Sequence, residues 1–177
     1  MFLIRIVCLF AVLCMAACDR LPDSYPPPEQ RPPVERITPG PDAMMVSMQG
    51  SDAALAIVKD IYPNINGIQW RWTKQQPTVR ILVLSTAGIK YSADFALWDD
   101  AFKITGPLEL SFLVNGKLLD KVRYTTSGNK HFEKLVPSGW LIGNTDATLA
   151  LAVDKLYTAP ADGAQFGVIL VRIGLKP

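Results

Sequence analysis

The tryptophans are the side chains of this sequence whose chemistry is best suited to recognising a ligand. An exposed indole ring offers a flat apolar face on which the C–H face of a sugar ring can stack, and its N–H can still hydrogen-bond. Neighbouring carboxylates, amides or guanidinium groups can then satisfy the sugar hydroxyls. The candidates for such a surface are Trp98 and Trp140, with Trp70, Trp72 and Asp99 behind them.

Trp70 and Trp72 are separated by one residue, so on a strand both side chains project from the same face. One interpretation is that the two rings fill a hydrophobic core, where large aromatic side chains supply much of the buried area. Arg71 would then face solvent. The other interpretation is that the rings form an exposed binding pair, and the sequence alone leaves both open.

Trp98 and Trp140 fall in predicted loops. Trp98 precedes the acidic doublet Asp99-Asp100, and Trp140 follows Pro137-Ser138-Gly139. Loops run over the protein surface and carry a large share of binding residues. We therefore expect these two rings to be the first contacts for a ligand.

A basic face is predicted on one strand, where Lys121 and Arg123 alternate with Val122 and Tyr124. Such a pattern usually indicates a solvated sheet face or an edge strand guarded by charge. The alternative is contact with anionic lipid headgroups or with an acidic glycan.

Groups that could perform catalysis are few. His131, the only histidine, lies beside Phe132 in a strand pattern, which favours a packed or rim position over a general base. Glu109 and Glu133 are the only glutamates after residue 42, and both fall on exposed-looking strand positions, so a glycosidase-type carboxylate pair is not favoured. No Gly-x-Ser-x-Gly elbow and no Gly-x-x-x-x-Gly-Lys phosphate loop occurs. We expect a protein that is not an enzyme and that binds no metal or cofactor.

The net charge and the positions of the cysteines argue against two further classes, nucleic-acid-binding proteins and disulfide-stabilised domains. Lys and Arg number 18 against 16 Asp and Glu, so the chain lacks the basicity of a nucleic-acid-binding protein. The cysteines are Cys8, Cys14 and Cys18, so none lies after residue 18. The rest of the chain has no thiol for a disulfide, so an apolar core must stabilise it.

The first 17 residues have the form of a secretory signal, with an early cation at Arg5 and an apolar run that ends in small residues. The run from Ile6 to Ala17 is shorter than the roughly 20 residues that a membrane-spanning helix needs. The order Leu13-Cys14-Met15-Ala16-Ala17-Cys18 resembles a bacterial lipoprotein signal, whose lipobox ends in the cysteine. Met15 stands where such boxes usually have leucine. An ordinary signal or an uncut anchor is the alternative.

The resemblance to lipoproteins implies a localisation. Cys18 would become the first mature residue and carry lipid such as palmitate, which anchors the chain to a membrane of the bacterial cell envelope, facing the periplasm. Asp19 resembles an inner-membrane retention signal, so the inner membrane is favoured without excluding the outer one.

Residues 18–42 are predicted to form the lipidated cysteine and a Pro-rich linker. Eight of the fourteen prolines of the chain lie between Leu21 and Pro41. Such runs favour extended polyproline II structure, so the segment reads as a semi-rigid spacer with a reach of roughly 70 Å at about 3.1 Å per residue. Docking of Pro26-Pro27-Pro28 in an aromatic groove of a partner is the alternative.

The remaining domain, 43–177, is expected to be all-β. A short helix is predicted to begin at Ala53 and to be ended by Pro63, with Leu55, Val58 and Tyr62 on one face. Alternating apolar residues then predict strands, and Asn115-Gly116 is the strongest hairpin signal. The predicted strands cover 69–73, 78–84, 89–95, 108–114, 117–124, 130–136, 148–153 and 166–173. This spacing predicts an antiparallel, jelly-roll-like β-sandwich with one short N-terminal helix.

Residues 106–154 carry a resemblance to a known family. The order is Asn115-Gly116, a return strand, Gly128, His131-Phe132, Val136-Pro137, and Asn144 before a closing strand. It resembles the jelly-roll order of galactose-binding-like modules, some of which bind glycans. The resemblance implies a non-catalytic sandwich that binds glycan or another envelope polymer. A structural or assembly subunit that binds an envelope protein is the alternative, and an enzyme is a third.

Overall fold

The computed structural model describes residues 42–49, 53–63 and 69–177. The predictions for the signal segment, the lipidation site Cys18, Asp19 and nearly all of the linker lie outside these residues. The described residues belong to one compact unit, Pro39–Pro177. Within the described part of the chain, no helix has the length and apolar character needed to cross a membrane.

The described residues form mainly strands, which confirms the all-β expectation. The strands are β1 Met45–Ser47, β2 Ile57–Ile61, β3 Arg71–Leu82, β4 Lys90–Leu97, β5 Leu108–Val114, β6 Lys117–Tyr124, β7 Gly128–Leu135, β8 Asp146–Val153, β9 Tyr157–Thr158, β10 Gln165–Phe166 and β11 Ile169–Lys176. The helices among them are α1 Ala53–Ala56 and α2 Asp99–Thr105.

The strands form two antiparallel layers that β3 connects. The first layer has the order β6-β5-β8-β3-β2, and the second has the order β7-β4-β11-β1. The second half of β3, from Thr78 to Leu82, pairs with β8, whereas Arg71 and Trp72 at its start pair with β11. The beginning of β3 therefore lies in the second layer, and its second half lies in the first.

The core lies between the two layers and is filled by the alternate, inward-facing residues of each strand. In β4, Tyr91, Ala93 and Phe95 are buried as the sequence predicts. Phe112 of the first layer stacks on Phe132 of the second, with ring centroids 3.5 Å apart. The hydroxyl of Tyr91 donates to the carbonyl of Ala150 across the layers, and burial raises the pKa of this phenol far above its ordinary range.

The predicted Asn115-Gly116 hairpin is confirmed between β5 and β6. Both residues have positive φ, 49° and 76°, which asparagine and glycine tolerate best. The Asn115 side chain adds two contacts: its Nδ2 donates to the carbonyl of Trp140, and its Oδ1 accepts from the amide of Thr148. The hairpin is therefore tied to the loop and strand beside it.

Three local predictions differ from the structure. The helix predicted between Ala53 and Pro63 ends at Ala56, and β2 pairs with β3 from Ile57 onward, because strand pairing replaces the weak helical pattern. The loop predicted at Trp98-Asp99-Asp100 is the start of α2. The segments 69–73 and 78–84 belong largely to the single strand β3, which Pro77 does not interrupt.

Candidate functional site

Trp72 stands on the outer face of the second layer. It pairs with Ile169 of β11, which pairs with Ala96 of β4. The next row, Arg71 with Leu170, is buried, so its side chains point to the core and those of the Trp72 row point outward. The interpretation in which the tryptophans fill the core is therefore wrong for Trp72.

Arg71 occupies the inward position between the two tryptophans and does not face solvent. Its Nε donates to the carbonyl of Met48 over 3.0 Å, so the buried guanidinium has a backbone partner. Thr73 is also buried, and its hydroxyl donates to the carbonyl of Val168 and accepts from the amide of the same residue. These bonds fix the start of β3 and hold Trp72 outward.

A chain of aromatic rings surrounds Trp72, and we call it the aromatic cluster. The ring of Trp72 lies 5.9 Å from that of Trp70 and 5.7 Å from that of Trp98, both edge to face. Trp98 in turn lies 5.6 Å from Tyr157. The full cluster is Tyr62, Trp70, Trp72, Trp98, Tyr157 and Phe166.

The aromatic cluster is a surface and does not enclose a pocket. Trp98 is 39% exposed, and the other rings are half-buried. The cavity between Trp98, α2 and Tyr157 has a volume of only about 10 Å³, which holds no more than a water molecule. A ligand at this site would therefore lie on the rings.

Charged groups accompany the rings. Lys74 lies over the ring of Tyr62, with its Nζ 5.1 Å from the centroid. Lys155 donates to the carbonyls of Thr105 and Pro107, which ties the segment before Tyr157 to the end of α2. Asp99 is exposed at the first residue of α2, directly after Trp98.

Trp140 lies at the opposite end of the sandwich. Its loop follows Val136, whose amide donates to the carbonyl of Ile89, just before the first residue of β4. Trp98 follows the last residue of β4, so the length of that strand, about 23 Å at 3.3 Å per residue, separates the two ends. Trp140 is half-buried against the core, with Lys117 over its ring at 5.5 Å. The structure therefore brings Trp70, Trp72 and Trp98 together and leaves Trp140 apart.

The predicted basic face carries compensating carboxylates. Lys121 forms an ion pair with Glu109 over 3.0 Å, and Arg123 is the residue that pairs with Glu109 across the strands. On the other side of β6, Lys134 binds Asp120 over 2.8 Å, and this contact lowers the pKa of that carboxyl. The face of Lys121 and Arg123 therefore carries an acidic side chain, Glu109, among its basic ones.

One group of charged side chains was missed by sequence reasoning. Arg172 of β11, Asp94 of β4 and His131 of β7 form a row across the outer face of the second layer. One Asp94 oxygen accepts from the Nε of Arg172, and the other lies 2.5 Å from Nδ1 of His131. Partial burial opposes ionisation, but the bonds from His131 and Arg172 hold the pKa of Asp94 below its ordinary value.

Glu133 occupies the next outward position of β7 and contacts Lys176 and Lys90. These hydrogen bonds lower the pKa of Glu133 to about 2. Both Asp94 and Glu133 are therefore ionised at neutral pH, where they accept hydrogen bonds and hold no proton to donate. Among the described residues, no cluster of three or more His, Cys, Asp or Glu is placed to hold a metal ion.

Comparison with known proteins gives no family for this chain. No family model matches the sequence. No curated protein matches it.

Several solved structures show a distant likeness. A CBM36-1 domain of a multidomain xylanase from the hindgut metagenome of Trinervitermes trinervoides has 12% identity and a TM-score of 0.42, covering 73% of this chain and 94% of its own. CBM35 from Paenibacillus barcinonensis has 15% identity and a TM-score of 0.39, covering 75% and 98%. A family 35 carbohydrate binding module from Clostridium thermocellum has 9% identity and a TM-score of 0.39, covering 74% and 96%. Likenesses of this extent identify neither a family nor a ligand.

Proposed function

We propose that this protein binds glycan without catalysis, through the aromatic cluster, as a lipid-anchored component of the cell envelope. The observation that carries the proposal is the contact of Trp72 with both Trp70 and Trp98 on the outer face of the second layer. Three indole rings in contact at a surface are unusual, because large aromatic side chains gain most free energy when buried. A sugar covering them removes apolar area from water while its hydroxyls stay hydrated.

The cluster is held in place before any ligand arrives. Thr73 and Val168 exchange three hydrogen bonds beneath it, and the amide of Gly167 donates to the carbonyl of Thr73 over 2.7 Å. A surface whose side chains are already ordered loses less conformational entropy when a ligand binds. This rigidity favours a recognition surface over a flexible contact.

The envelope part of the proposal rests on the sequence. The segment Leu13 to Cys18 resembles a lipobox, and the Pro-rich linker follows it. Lipid on Cys18 would attach the chain to the periplasmic side of a membrane, with the inner membrane favoured by Asp19. The partner would then be an envelope polysaccharide within reach of the linker.

Calorimetry and tryptophan fluorescence on the full chain in detergent test the binding proposal. The probes are disaccharides and hexasaccharides of xylan, cellulose and chitin, together with isolated envelope polysaccharide. Trp98→Ala is expected to weaken binding about tenfold, which corresponds to ~1.4 kcal/mol. Trp140→Ala is the matched control, because it removes the same side chain at the other end of the sandwich.

Two results would contradict the proposal. One is that no saccharide binds to the folded chain. The other is that Trp140→Ala and Trp98→Ala weaken binding equally. Release of reducing ends from a bound saccharide would contradict the non-catalytic part alone.

A second candidate function is binding to an envelope protein, and exposed apolar side chains near Trp140 favour it. Leu118 is 53% exposed beside Lys117, and Ile142 is 68% exposed two residues after Trp140. Crosslinking in membranes tests this alternative. A stoichiometric protein partner whose capture is lost in Ile142→Asp would support it, and unchanged capture would count against it.

A further inference from the structure

A second cavity in the described part of the chain lies outside the aromatic cluster. It is an open trough of about 410 Å³ on the outer face of the second layer. This volume is within the range of small-ligand sites. The trough is lined by Asp94, Phe95, Asn129, Lys130, His131 and Val171.

Strand register places this trough beside the aromatic cluster. Trp72, Ile169, Ala96 and Asn129 form one outward row across four strands. Asp94 lies two residues from Ala96 on β4, so its row follows about 7 Å further along the strands. Because the side chain of Ala96 is only a methyl group, no large side chain of β4 separates the aromatic cluster from the trough.

A β-bulge shapes the trough. Leu170 pairs with Phe95 and Arg172 pairs with Asp94, which leaves Val171 as an extra residue in β11. Bulges of this kind redirect the side chains that follow them. Here the bulge brings Arg172 to the outward position opposite Asp94, and Val171 becomes part of the trough. Trp70 is displaced from Trp72 in the same direction along the strands as Asp94 is from Ala96, because β3 and β4 both run antiparallel to β11.

The polar groups of the trough suit sugar hydroxyls. Asp94 is an ionised acceptor oriented by Arg172 and His131, and Asn129 is exposed and offers both a donor and an acceptor. Arg172 binds Asp94 through Nε, and its remaining N–H groups extend the supply of donors. Alternating donors and acceptors match hydroxyls, which both donate and accept.

The span of the combined surface sets the size of the ligand. Trp72 and Asn129 stand at the two ends of a row of four strands, or about 14 Å at 4.8 Å per strand. A six-membered sugar ring with bonds of about 1.5 Å is about 3 Å across, and about 6 Å separates the oxygens of opposite hydroxyls. One sugar cannot contact both ends.

We propose that the aromatic cluster and the trough form one extended site, which binds consecutive sugars within a linear polysaccharide. One sugar stacks on Trp72 and its neighbouring rings, and a sugar further along the chain hydrogen-bonds with Asn129 and Asp94. This inference rests on the proposed glycan binding and adds the class of ligand: stretches of several consecutive sugars, bound in preference to monosaccharides and disaccharides.

The experiment compares affinities for disaccharides and hexasaccharides of xylan, cellulose and chitin in the full chain and in single variants. Asn129→Ala is expected to weaken hexasaccharide binding about tenfold and leave disaccharide binding unchanged. Asn129→Trp, which fills the trough, is expected to do the same more strongly. Trp72→Ala is expected to weaken both lengths. Leu135→Ala is the matched control, since Leu135 is exposed on the same strand β7 but does not line the trough.

The outcomes separate this inference from the proposed function. Binding that depends on Trp72 but not on Asn129, with equal affinity for both lengths, would overturn the extended site and keep glycan binding. Binding of no probe by the folded chain would overturn both. Thermal unfolding of each variant shows whether a loss of affinity occurs in a folded protein. If Asn129→Trp does not fold, the affinities of Asn129→Ala alone test the extended site.

Discussion

The ring of Trp72 meets the ring of Trp98 edge to face, with centroids 5.7 Å apart. The two residues come from different elements: Trp72 from the start of β3, and Trp98 from the residue that precedes α2. The contact exists because β11 lies between β3 and β4 and pairs with both. The binding surface is therefore a product of the sheet order, and no single segment contains it.

Trp98→Ala is expected to separate binding from stability. Trp98 is 39% exposed, so its truncation should lower the free energy of unfolding by no more than about 1–2 kcal/mol, while its loss from the cluster weakens sugar binding. Urea unfolding and calorimetry on the same samples measure the two effects. A variant that binds sugars as tightly as the parent chain would show that Trp98 is not part of the site.

Acid is expected to destabilise the fold through Glu133. Its pKa is lowered from 4.5 to about 2 by Lys176 and Lys90, so the folded state binds its proton less readily than the unfolded chain. The stabilisation is present above pH 4.5 and is lost as the pH falls toward 2. Glu133→Gln cannot make this titration, so its stability should depend less on pH in that window. Identical pH profiles for the two chains, from urea unfolding, would contradict the assignment.

Gly167→Ala is expected to disturb the base of the aromatic cluster. A Cβ at this position would lie 2.4 Å from the backbone carbonyl oxygen of Lys74 and 2.9 Å from the hydroxyl of Thr73. Backbone cannot yield as a flexible side chain can, so we expect a loss of about 1–3 kcal/mol in the free energy of unfolding. Gly143→Ala is the control, because its Cβ would make an ordinary contact at 3.9 Å from Thr86. Equal stability of both variants would mean that the close approach at Gly167 is dispensable.

The sequence predicted those features that depend on local patterns. Alternation in 89–95 gave the inward face of β4, and Asn115-Gly116 gave the hairpin, because side-chain period and turn chemistry act within a few residues. The chemistry of Trp70, Trp72 and Trp98 alone marks them as binding candidates. Nothing local indicated that they are neighbours, since that depends on β11 entering between β3 and β4.

The row of Arg172, Asp94 and His131 shows the same limit more clearly. These residues come from three strands, and each looks like an ordinary outward position in its own segment. The bulge at Val171 decides that Arg172, and not its neighbour, faces Asp94. Alternation could place Asp94 outward, but a one-residue irregularity in another strand determines its partner.

Asn115→Ala is expected to lower stability without changing sugar binding. The variant loses the bonds from Nδ2 to the carbonyl of Trp140 and from the amide of Thr148 to Oδ1, and it places alanine at a φ of 49°. Two hydrogen bonds and an unfavourable backbone region together predict a loss of about 2–4 kcal/mol in the free energy of unfolding. Asn115→Gly relieves the backbone strain alone, so it should recover part of that loss.

Because this hairpin lies at the Trp140 end of the sandwich, affinity at the aromatic cluster should equal that of the parent chain. A parallel loss of sugar affinity in folded Asn115→Ala would place the binding surface near Trp140 and contradict the site proposed at Trp72 and Trp98.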